Sequence, residues 1–108
     1  MRIGIIGGLG RAEPYYGRMA AAAGHETLFH DGEVTGRGAR ALERVVDRCE
    51  LIVIVTDVNS HGAVQQARRR LREQGRSPLL LRRLGPARFS ALLSALNARV
   101  PATGGCAS

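Results

Sequence analysis

Four short stretches of this chain hold residue types that could do chemistry. Thr56-Asp57-Val58-Asn59-Ser60-His61 puts hydroxyls, a carboxylate, an amide and an imidazole side by side. Capping a helix would need only one of them, because one Asn59 or Ser60 oxygen satisfies a free N–H of a first turn. The remainder resembles the small set of convergent polar groups that orients a ligand. Gly7-Gly8-Leu9-Gly10 is a glycine turn of the kind that lets backbone N–H groups at a helix start face an anion. His30-Asp31 adds a second imidazole and carboxylate, and Arg82 adds a planar cation suited to phosphate or carboxylate. The candidate binding set is therefore Gly7, Gly8, Gly10, His30, Asp31, Thr56, Asp57, Asn59, Ser60, His61 and Arg82.

Several sharper chemistries fit less well. A dinucleotide fingerprint needs three glycines for the turn, the pyrophosphate approach and the helix contact. Gly8 and Gly10 supply two, but Glu13 holds the third position, although Asp31 stands where a ribose-binding acid belongs. A metal needs at least three convergent ligands, and His30, His61 and either Asp57 or Asp31 are the candidates for a metal- or haem-linked role. The plainer expectation is that each imidazole hydrogen-bonds within its own loop. Ser60 and His61 are adjacent, so their side chains diverge on a starting helix and make no catalytic dyad.

These stretches need elements to hold them. Arg2 to Ile6 is a β-rich run, and Leu51 to Val55 is apolar on both faces, as a central parallel strand is. Glu26 to His30 and Pro78 to Arg82 complete four strands. Between them lie helical patterns. One starts near Glu13-Pro14 and carries Tyr15, Met19, Ala20 and Ala23 inward. A second carries Leu42, Val45, Val46 and Cys49; a third carries Val64, Ala67 and Leu71; a last carries Phe89, Leu92, Leu93 and Leu96. Four βα units in succession predict a single α/β domain over 1–100, followed by a mobile tail at 101–108. Right-handed crossovers give a small parallel sheet of order 2-1-3-4, Rossmann-like or flavodoxin-like, with helices on both faces. Ligands of such sheets sit beyond the carboxyl ends of the strands where the order reverses, which is where the candidate set falls.

Composition narrows the partners. The 108 residues carry 16 basic side chains, all arginine, and a net charge of +7. An all-arginine, glycine-rich chain is also what a GC-rich genome produces, so charge alone does not argue for nucleic acid. Arg68, Arg69, Arg70 and Arg72 fall away from the strand ends without interleaved aromatics, which argues against a nucleic-acid partner and for a solvated face. The longest apolar run is too short for a bilayer and the start is not a signal peptide, so a cytoplasmic protein without a membrane partner is expected. Cys49 and Cys106 form no metal or disulfide pattern. Two open sheet edges predict a homodimer.

Two resemblances follow from the motifs. Ile3-Gly4-Ile5-Ile6-Gly7-Gly8-Leu9-Gly10 resembles the opening of the aspartate/glutamate racemases. Their catalytic cysteine is missing from the loop Asn59-Ser60-His61, and the chain is about half the length their paired domains need, so racemase chemistry is set aside. Phe29-His30-Asp31-Gly32, Thr56-Asp57-Val58-Asn59-Ser60-His61 and Leu80-Leu81-Arg82-Arg83-Leu84 together resemble the bacterial family called domain of unknown function 2325, from about Arg2 to Leu96. The resemblance implies a small Rossmann-like or flavodoxin-like bacterial domain of the cytosol and no particular substrate or cofactor. Where some members look to carry a cysteine after the Thr-Asp pair, this chain has Val58.

The residues favour a binding domain for a small anion over an enzyme. A metal- or haem-linked redox protein using His30 and His61 is the alternative from another class, and a dimeric interaction module is a third.

Overall fold

The computed structural model describes residues 1–8, 13–57 and 59–103. In chain order the elements are β1 (Arg2–Ile6), α1 (Glu13–Ala22), β2 (Glu26–His30), α2 (Gly38–Arg48), β3 (Leu51–Val55), α3 (His61–Glu73), β4 (Leu79–Leu81) and α4 (Pro86–Thr103). The four strands form one parallel sheet in the order β2-β1-β3-β4, as the alternating pattern predicts. This is an α/β domain with the arrangement of a Rossmann-like or flavodoxin-like fold.

Period-two alternation sorts the strand side chains into two layers. Ile52 and Ile54 face α2 and α3, joining Leu42, Val46, Ala63, Ala67 and Leu71. Val53 and Val55 face α1 and α4, joining Ile3, Ile5, Ala20, Phe89 and Leu93. All of β3 except Leu51 is buried, which places it at the centre of both layers. Each such aliphatic side chain contributes on the order of 1.5–3 kcal/mol when removed from water. Gly4 lets α2 approach β1 closely: a Cβ there would stand 2.7 Å from Ile52 Cδ1 and 2.8 Å from Val45 Cγ1.

The inner face of α1 carries Met19, Ala20 and Ala23 as expected, but the tyrosine beside them is the other of the two. Tyr16 is buried, while Tyr15 is 42% exposed. Two adjacent tyrosines are equivalent to a periodicity count, and the tertiary partners decide between them. Tyr16 packs edge-on to Phe89 at 5.2 Å, and its hydroxyl donates to the Leu84 carbonyl at 2.7 Å. Tyr15 instead stands beside the Arg18 guanidinium. On α3, Ala63 takes the buried place expected of Val64, which packs at the rim of that layer.

Side chains close one helix end locally and another from a distant segment. Ser60 caps α3, its Oγ accepting from the Ala63 N–H at 3.0 Å. Arg76 closes the end of α2 by donating to the carbonyls of Val46, Cys49 and Glu50. Pro78 lies outside β4, which is shorter than expected and runs only from Leu79 to Leu81. Helix α4 runs through Pro101 to Thr103, into the segment expected to be an unpatterned tail. Gly10, Cys106 and the rest of that tail from 104 onward lie outside the described residues.

Candidate functional site

The polar residues at the carboxyl ends of the strands separate into an inner latch and an outer, solvent-facing set. Asn59 is the centre of the latch. Its amide nitrogen donates to the Val55 carbonyl at 2.8 Å and to the Ile6 carbonyl at 3.2 Å, tying the ends of β3 and β1 together. Its Oδ1 accepts from the Ser60 N–H at 2.9 Å. Two glycines clear the space. A Cβ on Gly7 would sit 2.4 Å from Asn59 Nδ2, and one on Gly32 would sit 2.4 Å from Asn59 Oδ1; both residues also have φ of +92°. That left-handed conformation suits glycine and strains other residues.

His30 belongs to the same latch. It is buried at 7% exposure. Its Nδ1 accepts from the Gly32 N–H at 3.0 Å, and its Nε2 faces the Gly38 carbonyl at 2.8 Å. Accepting at Nδ1 and donating at Nε2 define the neutral tautomer protonated on Nε2. Ser60 completes the latch, its hydroxyl donating to the Gly32 carbonyl at 2.6 Å while it caps α3. The His-Asp-Gly and Asn-Ser stretches thus lock the loop after β2 against the loop after β3. Gly7 is part of the same construction, for its N–H donates to the His30 carbonyl at 2.7 Å.

The outer set remains open to solvent. Thr56 and Asp57 continue the pairing of β3 with β4, their N–H groups donating to the carbonyls of Leu81 at 2.8 Å and Arg82 at 3.0 Å. This extension brings the Asp57 carboxylate to two cations. Arg83 Nε lies 3.0 Å from Asp57 Oδ2, and Arg82 Nε lies 3.6 Å from Oδ1. The Arg83 hydrogen bond, followed by the charges of Arg82 and Arg83, holds the Asp57 carboxyl below its usual range. Both arginines are exposed, at 86% and 85% for Arg82 and Arg83. Together with Arg88, Leu80 and Leu81 they line a cleft beside β4. Arg83 and Arg88 were absent from the candidate set, although the Arg82-Arg83 doublet directly after a strand was the available signal.

The remaining candidates are placed as follows. Gly8 has φ of +92° with open space around it. Asp31 accepts from the Glu33 N–H at 2.9 Å and lines a separate acidic groove with Glu13 and Glu33. The Thr35 hydroxyl and N–H hold the Glu33 carboxyl below its usual range. His61 is exposed at the first position of α3, and its ring makes no hydrogen bond among the described residues. Among the described residues no three His, Cys, Asp or Glu side chains are placed to hold a metal ion, so His30, His61 and an aspartate are not gathered as a ligand set. Cys49 is buried, and burial pushes its thiol up to about 11, which keeps it protonated at neutral pH.

The family model described as "Uncharacterized protein conserved in bacteria (DUF2325)" matches residues 2–96. The chain belongs to this family. The match takes in the latch, the Asp57 cluster and the arginine cleft alike. Two curated relatives are UPF0751 proteins of Desulfitobacterium hafniense, from strain DSM 10664 / DCB-2 and strain Y51. Each is 26% identical over 86 residues, which is 79% of this chain and 84% of the relative. No solved structure gives a significant match. No helix among the described residues is long and apolar enough to cross a membrane.

Proposed function

We propose that this DUF2325 domain binds a small molecule carrying a phosphate or carboxylate group at the carboxyl ends of β3 and β4. The observation that carries this reading is the cleft lined by Arg82, Arg83 and Arg88, in which the first two share Asp57 as their carboxylate partner and Arg88 adds a third guanidinium group. Two arginines on one carboxylate keep a net positive charge, and the ion pairs orient their planar forks before a ligand arrives. Planar forks match carboxylate and phosphate oxygens two at a time. Gly8, Thr56 and His61 stand at the same end of the sheet and supply a backbone N–H, a hydroxyl and an imidazole for the rest of the ligand. A binding role is favoured over covalent catalysis by the state of the nucleophiles. The Ser60 hydroxyl both donates to Gly32 and accepts from Ala63, and the Cys49 thiol is buried and protonated.

Thermal melting against phosphate, sulfate, nucleotides and small carboxylates, at constant ionic strength, tests the proposal. A ligand at roughly a hundredfold excess over its Kd stabilises the fold by about 2.7 kcal/mol. We expect at least one anion to raise Tm and the Arg82→Ala/Arg83→Ala variant to lose that rise. Flat melting curves across the whole panel would remove the anion reading.

A further inference from the structure

The richest unclaimed feature lies on the opposite side of the sheet from α1 and α4. Helices α2 and α3 lie side by side there, joined by a hydrogen bond from Gln66 Nε2 to the Ala39 carbonyl and by an ion pair between Arg70 and Asp47 at 2.7 Å. Their outward faces carry Arg40, Arg44 and Arg48 on α2 and Arg68, Arg69 and Arg72 on α3, all exposed. None of these six forms an ion pair among the described residues. Acidic groups are scarcer. Asp47 is already taken up by Arg70 and Gln74, which leaves Glu43, half-buried, and Glu73. Arg68, Arg69 and Arg72 line a shallow cleft together with Gly62, Gln65 and Gln66.

We propose that this face binds the phosphodiester backbone of double-stranded nucleic acid without reading its sequence. Charge complementarity names the occupant: guanidinium groups pair with phosphates, and releasing the counterions of a duplex drives association. Gln65, exposed beside the arginines, adds a neutral donor of the kind that bonds phosphate oxygens. Two further features exclude neighbouring chemistries. Single strands are held by stacking on aromatic rings, and the chain's Tyr15, Tyr16, Phe29 and Phe89 lie on α1, β2 and α4 rather than on this face. Anionic bilayers are gripped by an apolar stripe beside the charges, whereas among the described residues the exposed large apolar side chains, Met1, Tyr15 and Leu80, lie elsewhere. From the sequence alone the arginine run of α3 reads as a solvated face; the fold sets α2's arginines next to it. This surface is separate from the Arg82 cleft and does not depend on it.

Fluorescence anisotropy with labelled duplexes of roughly 20 base pairs and two unrelated sequences, titrated between about 50 and 200 mM salt, tests this. Both duplexes should bind alike, with log K falling by about 0.9 per tenfold rise in salt for each phosphate neutralised. Arg68→Ala/Arg69→Ala/Arg72→Ala should weaken binding at least about tenfold and flatten the salt slope by about 2–3. Its melting temperature should match wild type, because the three residues are exposed and alanine favours helix. The triple lysine variant should keep most of the binding, and Arg82→Ala/Arg83→Ala should keep all of it. A salt slope below about one phosphate, a triple alanine variant that binds like wild type, or equal binding to single strands or to phosphatidylserine vesicles would overturn the proposal.

Discussion

Asn59 makes three hydrogen bonds, to the ends of β1 and β3 and to its neighbour Ser60, and fixes the separation of the β1 and β3 ends. Removing its side chain would leave the Val55 and Ile6 carbonyls without that donor in a partly buried place, at a cost of about 1–3 kcal/mol for each unsatisfied group. We therefore expect Asn59→Ala to lower stability measurably by chemical denaturation, whereas Thr56→Ala, on an exposed residue, should not. Gly32→Ala should be at least as damaging, because it adds both strain at φ of +92° and a Cβ 2.4 Å from Asn59 Oδ1. Equal midpoints for Gly32→Ala and wild type would show that the latch tolerates what its geometry forbids. At this scale the sequence was only half legible. It drew attention to Asn59, Ser60 and His30 as unusual polar residues, yet could not tell bonds inside the loops from bonds to a ligand. That distinction depends on which carbonyls face them, and those carbonyls are 25 or more positions away for Asn59 to Ile6 and for Ser60 to Gly32.

Among the elements, the strands and helices followed directly from hydrophobic period and turn residues. Leu51–Val55 announces a central strand, and the stripe Leu42, Val45 and Val46 was buried as expected. What escaped was which tyrosine of α1 and which residue at the start of α3 turns inward, because Tyr15 and Tyr16, or Ala63 and Val64, satisfy a helical count equally well. Contacts between elements also carry charge. Asp47 on α2 holds Arg70 on α3, and the Arg70 hydrogen bond keeps the Asp47 carboxyl below its usual range. A carboxyl with a lowered folded value stabilises the fold above the ordinary aspartate range, near pH 4. That contribution disappears as pH falls through the lowered value, where the carboxyl becomes protonated in folded and unfolded chains alike. Melting curves of wild type and Asp47→Asn should therefore differ at neutral pH and converge in acid. A difference that grew on acidification would contradict the pairing. The gain is small in absolute size, since both side chains are more than a third exposed, at 36% and 39%.

For the whole molecule, the sheet order does most of the organising. Because all four strands run parallel, the loops after β1, β2, β3 and β4 come to one end, and the strand order reverses between β1 and β3. That placement was predictable from four βα units and right-handed crossovers. The division of labour at that end was not. Gly7, His30, Asn59 and Ser60 hold the loops together, while Thr56, Asp57, His61, Arg82, Arg83 and Arg88 face solvent. Positive charge is likewise distributed in two places, a small cleft at the end of β4 and a broad face over α2 and α3. The first suits a small anion held by a few guanidinium groups, the second an extended polyanion. A backbone amide NMR titration with inorganic phosphate, at constant ionic strength, discriminates between these surfaces and bears most directly on the central claim. At low phosphate the amides of Thr56, Asp57 and residues 81–88 should shift first and saturate, with the same shifts absent in Arg82→Ala/Arg83→Ala. Shifts that began on α2 and α3, or that spread evenly over the chain without saturating, would contradict a built anion site at the carboxyl ends of the strands.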